Sequence, residues 1–271
     1  MDLNRNKKKV CLIGAAGRMG KSITQVLSHS NTLVLGSAIE RSDSILIGMD
    51  SGINSGIKDN HILYMSETKK GIEESDIIID FSSHIETESV LEMALEFNKP
   101  IVIGSTGHSE DQSKKIKSYS EKIPLIHSPN MSVGVNLLFK LIELAAPALG
   151  EHFDIELLDI HHRHKKDAPS GTAQALKNVL LKSLSRSESN VSYGRHGNYG
   201  ERDPKQIAIH TMRAGEVIGE HTVYFISPEE RIEISHRAED RKTFAVGAVK
   251  AADFLVLQSK GFYTMFDVLG I

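Results

Sequence analysis

The chain reads as an α/β protein: a Rossmann-like doubly wound parallel sheet followed by a second α+β domain with a mixed sheet. Three observations predict this. Short aliphatic runs alternate with helical periods up to about residue 130. A glycine-rich turn, "GAAGRMG", separates the first apolar run from the first helix. Beyond residue 130 the order changes to one long apolar helix and then several strand-like runs. Strands joined through helices are crossover connections, and these build a parallel sheet covered on both faces.

Taken in order, "KVCLIG" is a strand, "RMGKSITQVLSH" a helix and "LVLGSAIE" a second strand. A glycine-rich irregular stretch follows. The alternation then resumes with "DIIIDFS", "ETESVLEMALEFN", "PIVIGST", "EDQSKKIKSYSEK" and "PLIHS". A helix over Ser132–Leu149 leads into the strand "FDIELLDIH" and a helix starting at "GTAQALKNVLLKSL". The polar segment Ser183–Lys205 has no clear period and reads as a functional or mobile loop. "QIAIHTMRAG", "EHTVYFIS" and "RIEISHRAE" read as a meander with antiparallel pairings, punctuated by Gly215, Gly219 and Ser227-Pro228. A last helix, "TFAVGAVKAADFLVLQ", is expected to return to the first of two domains, parted near Asn130.

Composition narrows the function classes. The 271 residues carry 32 Lys and Arg against 35 Asp and Glu, a net charge of −3, so the general basic surface of a nucleic-acid binder is missing. The one cysteine, Cys11, precludes an internal disulfide and lies in an apolar run, which suits a reducing compartment. The N-terminal "MDLNRNKKKVCLIG" lacks the apolar core of a signal peptide, and Asn136, Lys140 and Glu143 interrupt the longest apolar segment. The expectation is a cytoplasmic protein with no membrane span.

Gly14, Gly17 and Gly20 stand where such a sheet binds a dinucleotide, between first strand and first helix. Glycine lets the backbone approach a pyrophosphate, and the helix N-terminus supplies N–H groups and a favourable dipole. The spacing is GxxGxxG, with Ala16 where the commoner GxGxxG pattern has its second glycine. Packing alone would also explain three glycines at a corner; the strand before and the helix after favour the dinucleotide. The turn residues Gly14, Ala15, Ala16, Gly17, Arg18 and Met19 are therefore candidates for the cofactor. At the end of the second strand, Glu40 suits the ribose hydroxyls of NADH, whereas Arg41, with Arg18, suits the 2′-phosphate of NADPH. Two further strand ends, Gly104-Ser105-Thr106 and Ser128-Pro129-Asn130-Met131, fall on the same edge of the sheet and should flank the nicotinamide.

The densest chemistry is "HHRHKKDAPSGTA", residues 161–173. Asp167, Ser170 and Thr172 are all able to cap the following helix. Its first N–H groups, at Gly171 and Thr172, would form an anion site, and Lys165 and His162 would add charge-assisted hydrogen bonds. A small carboxylate is the simplest ligand. Either Lys165 or His161 could supply the proton that accompanies a hydride. A metal is not expected: His161, His162 and His164 would not converge from a strand, and no cysteine or evident carboxylate completes a site. A solvated basic loop would not need the helix start that follows.

These motifs, with "GSTG", "SPNMSVGVN", "RAGEVIGEHTV" and "ISHRAEDRKTFAVGAV", resemble the 4-hydroxy-tetrahydrodipicolinate reductase (dihydrodipicolinate reductase) family over nearly the whole chain. The resemblance implies a dinucleotide-binding domain over residues 1–130, completed by 241–271, and a substrate-binding and oligomerisation domain over 131–240. It implies NADH- or NADPH-dependent reduction of a small dicarboxylate, the dehydrated cyclic imine of 4-hydroxy-tetrahydrodipicolinate, by a homotetramer. It further implies Lys165 as proton donor, His161 as the catalytic histidine, and His162, Gly171 and Thr172 on the substrate carboxylates. A semialdehyde dehydrogenase is a poorer match, since Cys11 lies in the first strand where it cannot serve as a cleft nucleophile. A dinucleotide sensor without turnover would not need Lys165 beside a carboxylate pocket.

Overall fold

The computed structural model describes residues 7–271. The residues before Lys7, on which the expectation for the basic N-terminus partly rests, lie outside the described residues. The chain forms two compact units. One comprises the chain up to Val133 together with Arg241–Ile271, and the other is Gly134–Asp240.

The first unit is built on a seven-stranded parallel sheet. Its strands are β1 (Lys8–Ile13), β2 (Leu33–Ile39), β3 (Tyr64–Met65), β4 (Ile77–Asp80), β5 (Ile101–Ile103), β6 (Pro124–His127) and β12 (Gly261–Tyr263), in the order β12-β6-β5-β4-β1-β2-β3. Every pairing is parallel. Side chains alternate across each strand with period two. Val10, Leu12, Ile77 and Ile79 therefore pack on one face, while Cys11, Ile13 and Ile78 pack on the other. The first face is covered by α1 (Arg18–Leu27) and α8 (Lys242–Leu255). Ala245, Ala248, Ala251 and Ala252 line the buried side of α8, and so small a set lets two helices share one face. The second face is covered by α4 (Thr87–Glu96) and α5 (Glu110–Tyr119) through Val90, Leu91, Ala94 and Ile116. Each fully buried aliphatic side chain contributes about 1.5–3 kcal/mol relative to exposure. Burial raises the Cys11 thiol to about 12, so it packs as an apolar group.

Two segments hold more structure than their patterns suggest. The irregular stretch after β2 contains α2 (Ser51–Asn54), β3 and α3 (Thr68–Glu73), and the tail contains β12 and α9 (Met265–Leu269). Elements of two to six residues are too short to display a period.

The second unit is a five-stranded mixed sheet. Its strands are β7 (Asp154–His161), β8 (Val191–Tyr193), β9 (Ile207–Arg213), β10 (Gly219–Ile226) and β11 (Arg231–Ala238), in the order β11-β10-β7-β9-β8. The expected meander needs correction. β10 and β11 are an antiparallel hairpin, but β7 lies between β10 and β9, and β9 runs parallel to both β7 and β8. The connection between β9 and β10 crosses the end of β7, where Ala214 donates to the His161 carbonyl and Arg163 to that of Gly215. α6 (Val133–Leu149) and α7 (Gly171–Ser183) cover one face, where Leu138, Ile142, Leu176 and Leu180 meet Ile155, Leu157, Val223 and Phe225. Among the described residues, α6 and its extension to His152 form the one helix long and apolar enough to cross a membrane by composition. Its Leu138, Ile142 and Ala146 are spent instead on this core.

The polar segment after α7 is also more ordered than expected. It holds a short turn of helix at Glu188–Asn190 and the edge strand β8. Its remainder is tied to the sheet by two arginines. Arg195 donates to both carboxylate oxygens of Glu156, at 3.1 and 2.8 Å. Arg202 reaches Glu156 at 3.2 Å, Asp154 at 2.6 Å and the carbonyls of Ile155 and Gln206.

Candidate functional site

In the first unit the carboxyl ends of β1, β2 and β4 surround a cleft of about 620 Å³, lined by Gly14, Gly17, Glu40, Arg41, Phe81 and Ser82 among others. The glycine turn is shaped backbone against backbone. The N–H groups of Gly14 and Ala15 both donate to the Ile39 carbonyl at 3.1 Å. Gly14 has φ +74°, and a Cβ there would stand 2.6 Å from the Phe81 carbonyl oxygen, so both conformation and space demand glycine. A Cβ on Gly20 would run into the Gly14 and Ala15 carbonyls, which makes Gly20 the residue that lets α1 approach β1. Gly17 does neither job. It is the N-cap of α1, with no side-chain cap, and it accepts the first helical bond from Lys21 at 2.9 Å. The N–H groups of Arg18, Met19 and Gly20 precede that bond and have no acceptor within the helix. This uncapped, positive end opens where a pyrophosphate would be held.

The remaining predicted cofactor residues divide by burial. Arg18 is exposed, Ala16 and Met19 are partly buried against the core, and Ala15 is fully buried with its N–H engaged, so Ala15 shapes the turn and leaves donation to its neighbours. Glu40 and Arg41 do not pair through their side chains. The Glu40 carboxylate accepts from the Arg41 backbone N–H at 3.3 Å, while the exposed Arg41 guanidinium lies 3.4 Å from Asp43. Gly104, Ser105 and Thr106 follow β5, with Ser105 buried and in contact with Thr87 at 3.3 Å. In the loop after β6, Ser128 donates to the Asn130 carbonyl at 2.9 Å and Asn130 Oδ1 accepts from Ser132 N–H at 2.9 Å. Pro129 is exposed and Met131 sits in the core.

The end of β4 also borders the cleft, though no motif marks it in the sequence. Asp80 is fully buried, and its Oδ1 accepts from the backbone and hydroxyl of Ser82 at 2.9 and 2.6 Å. Burial raises its carboxyl above the usual range, with the Ser82 bonds opposing. Thus Asp80 folds the Phe81-Ser82 corner that borders the cleft. The signal was available: this strand pairs with β1 and must end on the same edge. Nearby, burial and the adjacent His108 lower the His127 imidazole to about 4, so it is an uncharged group.

In the second unit, residues 155, 157, 159 and 161 of β7 share the face turned to the helices, and all are buried. The first two are apolar and belong to the core. The last two, Asp159 and His161, turn the end of that face into a polar site. Asp159 is fully buried. Its Oδ1 lies 2.9 Å from His161 Nδ1 and 3.2 Å from His221 Nε2. Its Oδ2 accepts from Ser170 N–H at 2.9 Å and from Arg213 Nη2 at 3.0 Å. Burial alone would raise the carboxyl, but these partners outweigh it and hold Asp159 far below the usual carboxylate range. His221, opposite Asp159 in the β10 register, also contacts Ser170 Oγ at 3.0 Å. Burial lowers its imidazole, with Asp159 opposing.

The expected helix start is present, with Ser170 as the N-cap accepting from Ala173 N–H at 3.2 Å. Gly171 and Thr172 begin α7, and a Cβ on Gly171 would meet open space. The Lys165 ammonium lies 2.9 Å from Asp167, which lowers the Asp167 carboxyl. His162 is half-buried; His164 is exposed, 3.6 Å from Glu216. Contrary to the expectation that all three lie in the strand, β7 ends at His161, and His162 and His164 stand in the loop beyond it with their rings 6.1 Å apart. His161 instead joins Asp159 and His221, whose ligand-type atoms all lie within 4.8 Å of one another. A carboxylate does face this histidine, contrary to the expectation that none would. The Arg213 guanidinium donates to the other oxygen of the same carboxylate at 3.0 Å. Asp159 was legible two residues before His161; His221 and Arg213 were not, because register alone brings them there.

Both units match sequence models described as dihydrodipicolinate reductase: the N-terminal one over residues 8–131 and the C-terminal one over 134–269. Among solved structures, the chain is similar to a dipicolinate-bound dihydrodipicolinate reductase from Paenisporosarcina sp. TG-14, with TM-score 0.76 and 21% identity over 96% of this chain and 98% of that one. It shares its fold with GenD2 from gentamicin A biosynthesis in complex with NAD, at TM-score 0.61 and 11% identity over 93% and 87%. An oxidoreductase from Agrobacterium radiobacter in complex with NAD+, L-tartaric acid and magnesium aligns at TM-score 0.58 and 12% identity over 92% and 87%. Glycines packed backbone against backbone, an uncapped helix end, and a second unit with a buried Asp159–His161–His221 cluster beside a Lys165–Asp167 pair all agree with the family matches over both halves. The chain belongs to the dihydrodipicolinate reductase family, NAD(P)H-dependent oxidoreductases of diaminopimelate and lysine biosynthesis.

Proposed function

We propose that the chain reduces the dehydrated cyclic imine of 4-hydroxy-tetrahydrodipicolinate to tetrahydrodipicolinate, with Lys165 as the proton donor and His161 beside it in the reaction. The observation that carries this is Lys165 paired with Asp167 in the loop that leads into α7, whose start Ser170 caps and where Gly171 leaves open space. A dicarboxylate suits that end: the N–H groups of Gly171 and Thr172 and the helix dipole attract one carboxylate, and His162 adds a further donor. The dipicolinate bound by the Paenisporosarcina protein is a ligand of this class.

The cleft of the first unit suits NADH or NADPH. The N–H groups of Arg18, Met19 and Gly20 face the pyrophosphate, Glu40 the ribose, and Arg41 with Arg18 a 2′-phosphate. Ser105, Thr106, Pro129 and Asn130 border the nicotinamide, and Ala15, Ala16 and Met131 shape the walls. When bound, the dihydronicotinamide supplies the hydride. Lys165 holds the balancing proton at Nζ, 2.9 Å from the Asp167 carboxylate, until the reduced ring accepts it. His161 polarises or positions the substrate.

The protein is further proposed to work as a cytoplasmic homotetramer assembled through the second unit. One sheet face there is left uncovered by α6 and α7 and carries Leu158, Ile160 and the 48%-exposed Met212. A single buried, free cysteine suits a reducing compartment. Sedimentation velocity tests the assembly, and a monomer at micromolar concentration refutes it.

The activity test follows NAD(P)H oxidation while the preceding synthase generates substrate from pyruvate and aspartate semialdehyde. Lys165→Ala is expected to lower turnover by about 10²-fold or more, with cofactor affinity near that of wild type. Unchanged turnover removes Lys165 as the acid. No turnover by a folded, cofactor-binding wild type refutes the substrate.

A further inference from the structure

The role proposed for His161 leaves open what holds its ring. Asp159 Oδ2 accepts from the Ser170 N–H at the start of α7 and from Arg213 at the end of β9. Its Oδ1 faces His161 Nδ1 on β7 at 2.9 Å and His221 Nε2 on β10 at 3.2 Å, with Oδ1 and His161 Nδ1 both buried and without a hydrogen-bond partner outside this contact. An ionised carboxylate only accepts, so a nitrogen 2.9 Å from Oδ1 satisfies it only as a donor. Arg213 already balances its charge, so neither histidine has to be protonated to satisfy it. A neutral imidazole facing that oxygen must then carry its proton on the facing nitrogen. For His161 the facing atom is Nδ1. The opposite atom, Nε2, borders Gly219, where a Cβ would stand 3.0 Å away. Residue 219 thus leaves room beside the one nitrogen that remains an acceptor.

Resting on the reading of His161 given above, we infer that Asp159 is a positioning residue: it locks His161 as its Nδ1–H tautomer and so presents Nε2 unprotonated to the substrate. The titratable and charged groups facing this network are His221 and His236 from the β10–β11 hairpin, Arg213 from β9, and Lys165 with Asp167 from the loop before α7. A cation held by Asp159, His161 and His221 would have to share the Asp159 carboxylate with the Arg213 guanidinium, 3.0 Å from its Oδ2.

The test is 15N solid-state NMR of the full-length protein labelled at histidine nitrogens, with His161 assigned by the His161→Gln difference. Wild type should show Nδ1 protonated and Nε2 bare at neutral pH. In Asp159→Asn the side-chain amide donates to Nδ1, so the proton should move to Nε2. Turnover should then fall about 10- to 1,000-fold with its pH profile displaced, while the KM for NAD(P)H stays within about twofold and Asp159→Glu recovers part of the loss. An Nε2–H tautomer in wild type overturns the inference, and that measurement stands even if the variants do not fold. So does an Asp159→Asn protein with unaltered tautomer and turnover. Stoichiometric zinc in purified wild type, absent from Asp159→Asn by elemental analysis, also overturns it. A wild type that shows the tautomer but no reductase activity refutes the proposed function alone.

Discussion

Glu156 offers the sharpest stability test, because one half-buried carboxylate anchors the whole segment after β8. Its partners are Arg195, Arg202 and His210, the last at 2.6 Å. Burial would raise its carboxyl, but these three outweigh it and lower it from 4.5 to about 2. At about 1.4 kcal/mol for each tenfold change in proton affinity, this contributes roughly 3 kcal/mol of stability at neutral pH. The side chain is 17% exposed, so solvent screening removes little of it. Because the folded-state value lies below the unfolded one, the contribution is present above about pH 4.5 and fades as pH falls towards about 2. The perturbation is Glu156→Gln, and the assay is urea unfolding by circular dichroism at fixed protein concentration across the acid range. The variant should lose roughly 3 kcal/mol at pH 7 and under half of that at pH 3. Trypsin should also cut faster after Arg195 and Arg202 once their anchor is gone. A stability gap equal at both pH values refutes the reasoning, as does unchanged cleavage.

Three further outcomes follow from the first unit. Asp80 has a raised folded-state value, so its ionisation opposes folding as pH climbs. Asp80→Asn should therefore gain stability over wild type above neutrality, and the gain should vanish below the unfolded value of about 3.9; a pH-independent difference in urea titrations contradicts this. Gly14→Ala meets both a positive φ and the Phe81 carbonyl. It should lose about 1–3 kcal/mol and weaken NAD(P)H binding about tenfold or more by fluorescence titration. Arg41→Ala should weaken NADPH more than NADH, and equal losses would remove Arg41 from 2′-phosphate recognition.

Much of the molecule was readable before folding. Uninterrupted apolar runs such as "DIIID" announce strands buried on both faces, and "GAAGRMG" between strand and helix announces the turn. The motif at 161–173 carries its helix cap and lysine within a few residues of each other, so its chemistry is local. What escaped was short or remote. Val191–Tyr193 and Gly261–Tyr263 are too brief for a pattern, yet each completes a sheet edge. The parallel pairing of β9 beside β7 was invisible because nothing in either strand encodes which neighbour it takes.

By itself, then, the sequence determined the two-part α/β plan, the glycine turn and the identity of the residues nearest the chemistry, since these depend on period, caps and neighbours along the chain. Only the tertiary structure decided that Asp159 would be met by His221 and Arg213, and that Asp80 would shape the cleft from within. Those contacts arise from strand order and register, which answer to the packing of the whole sheet.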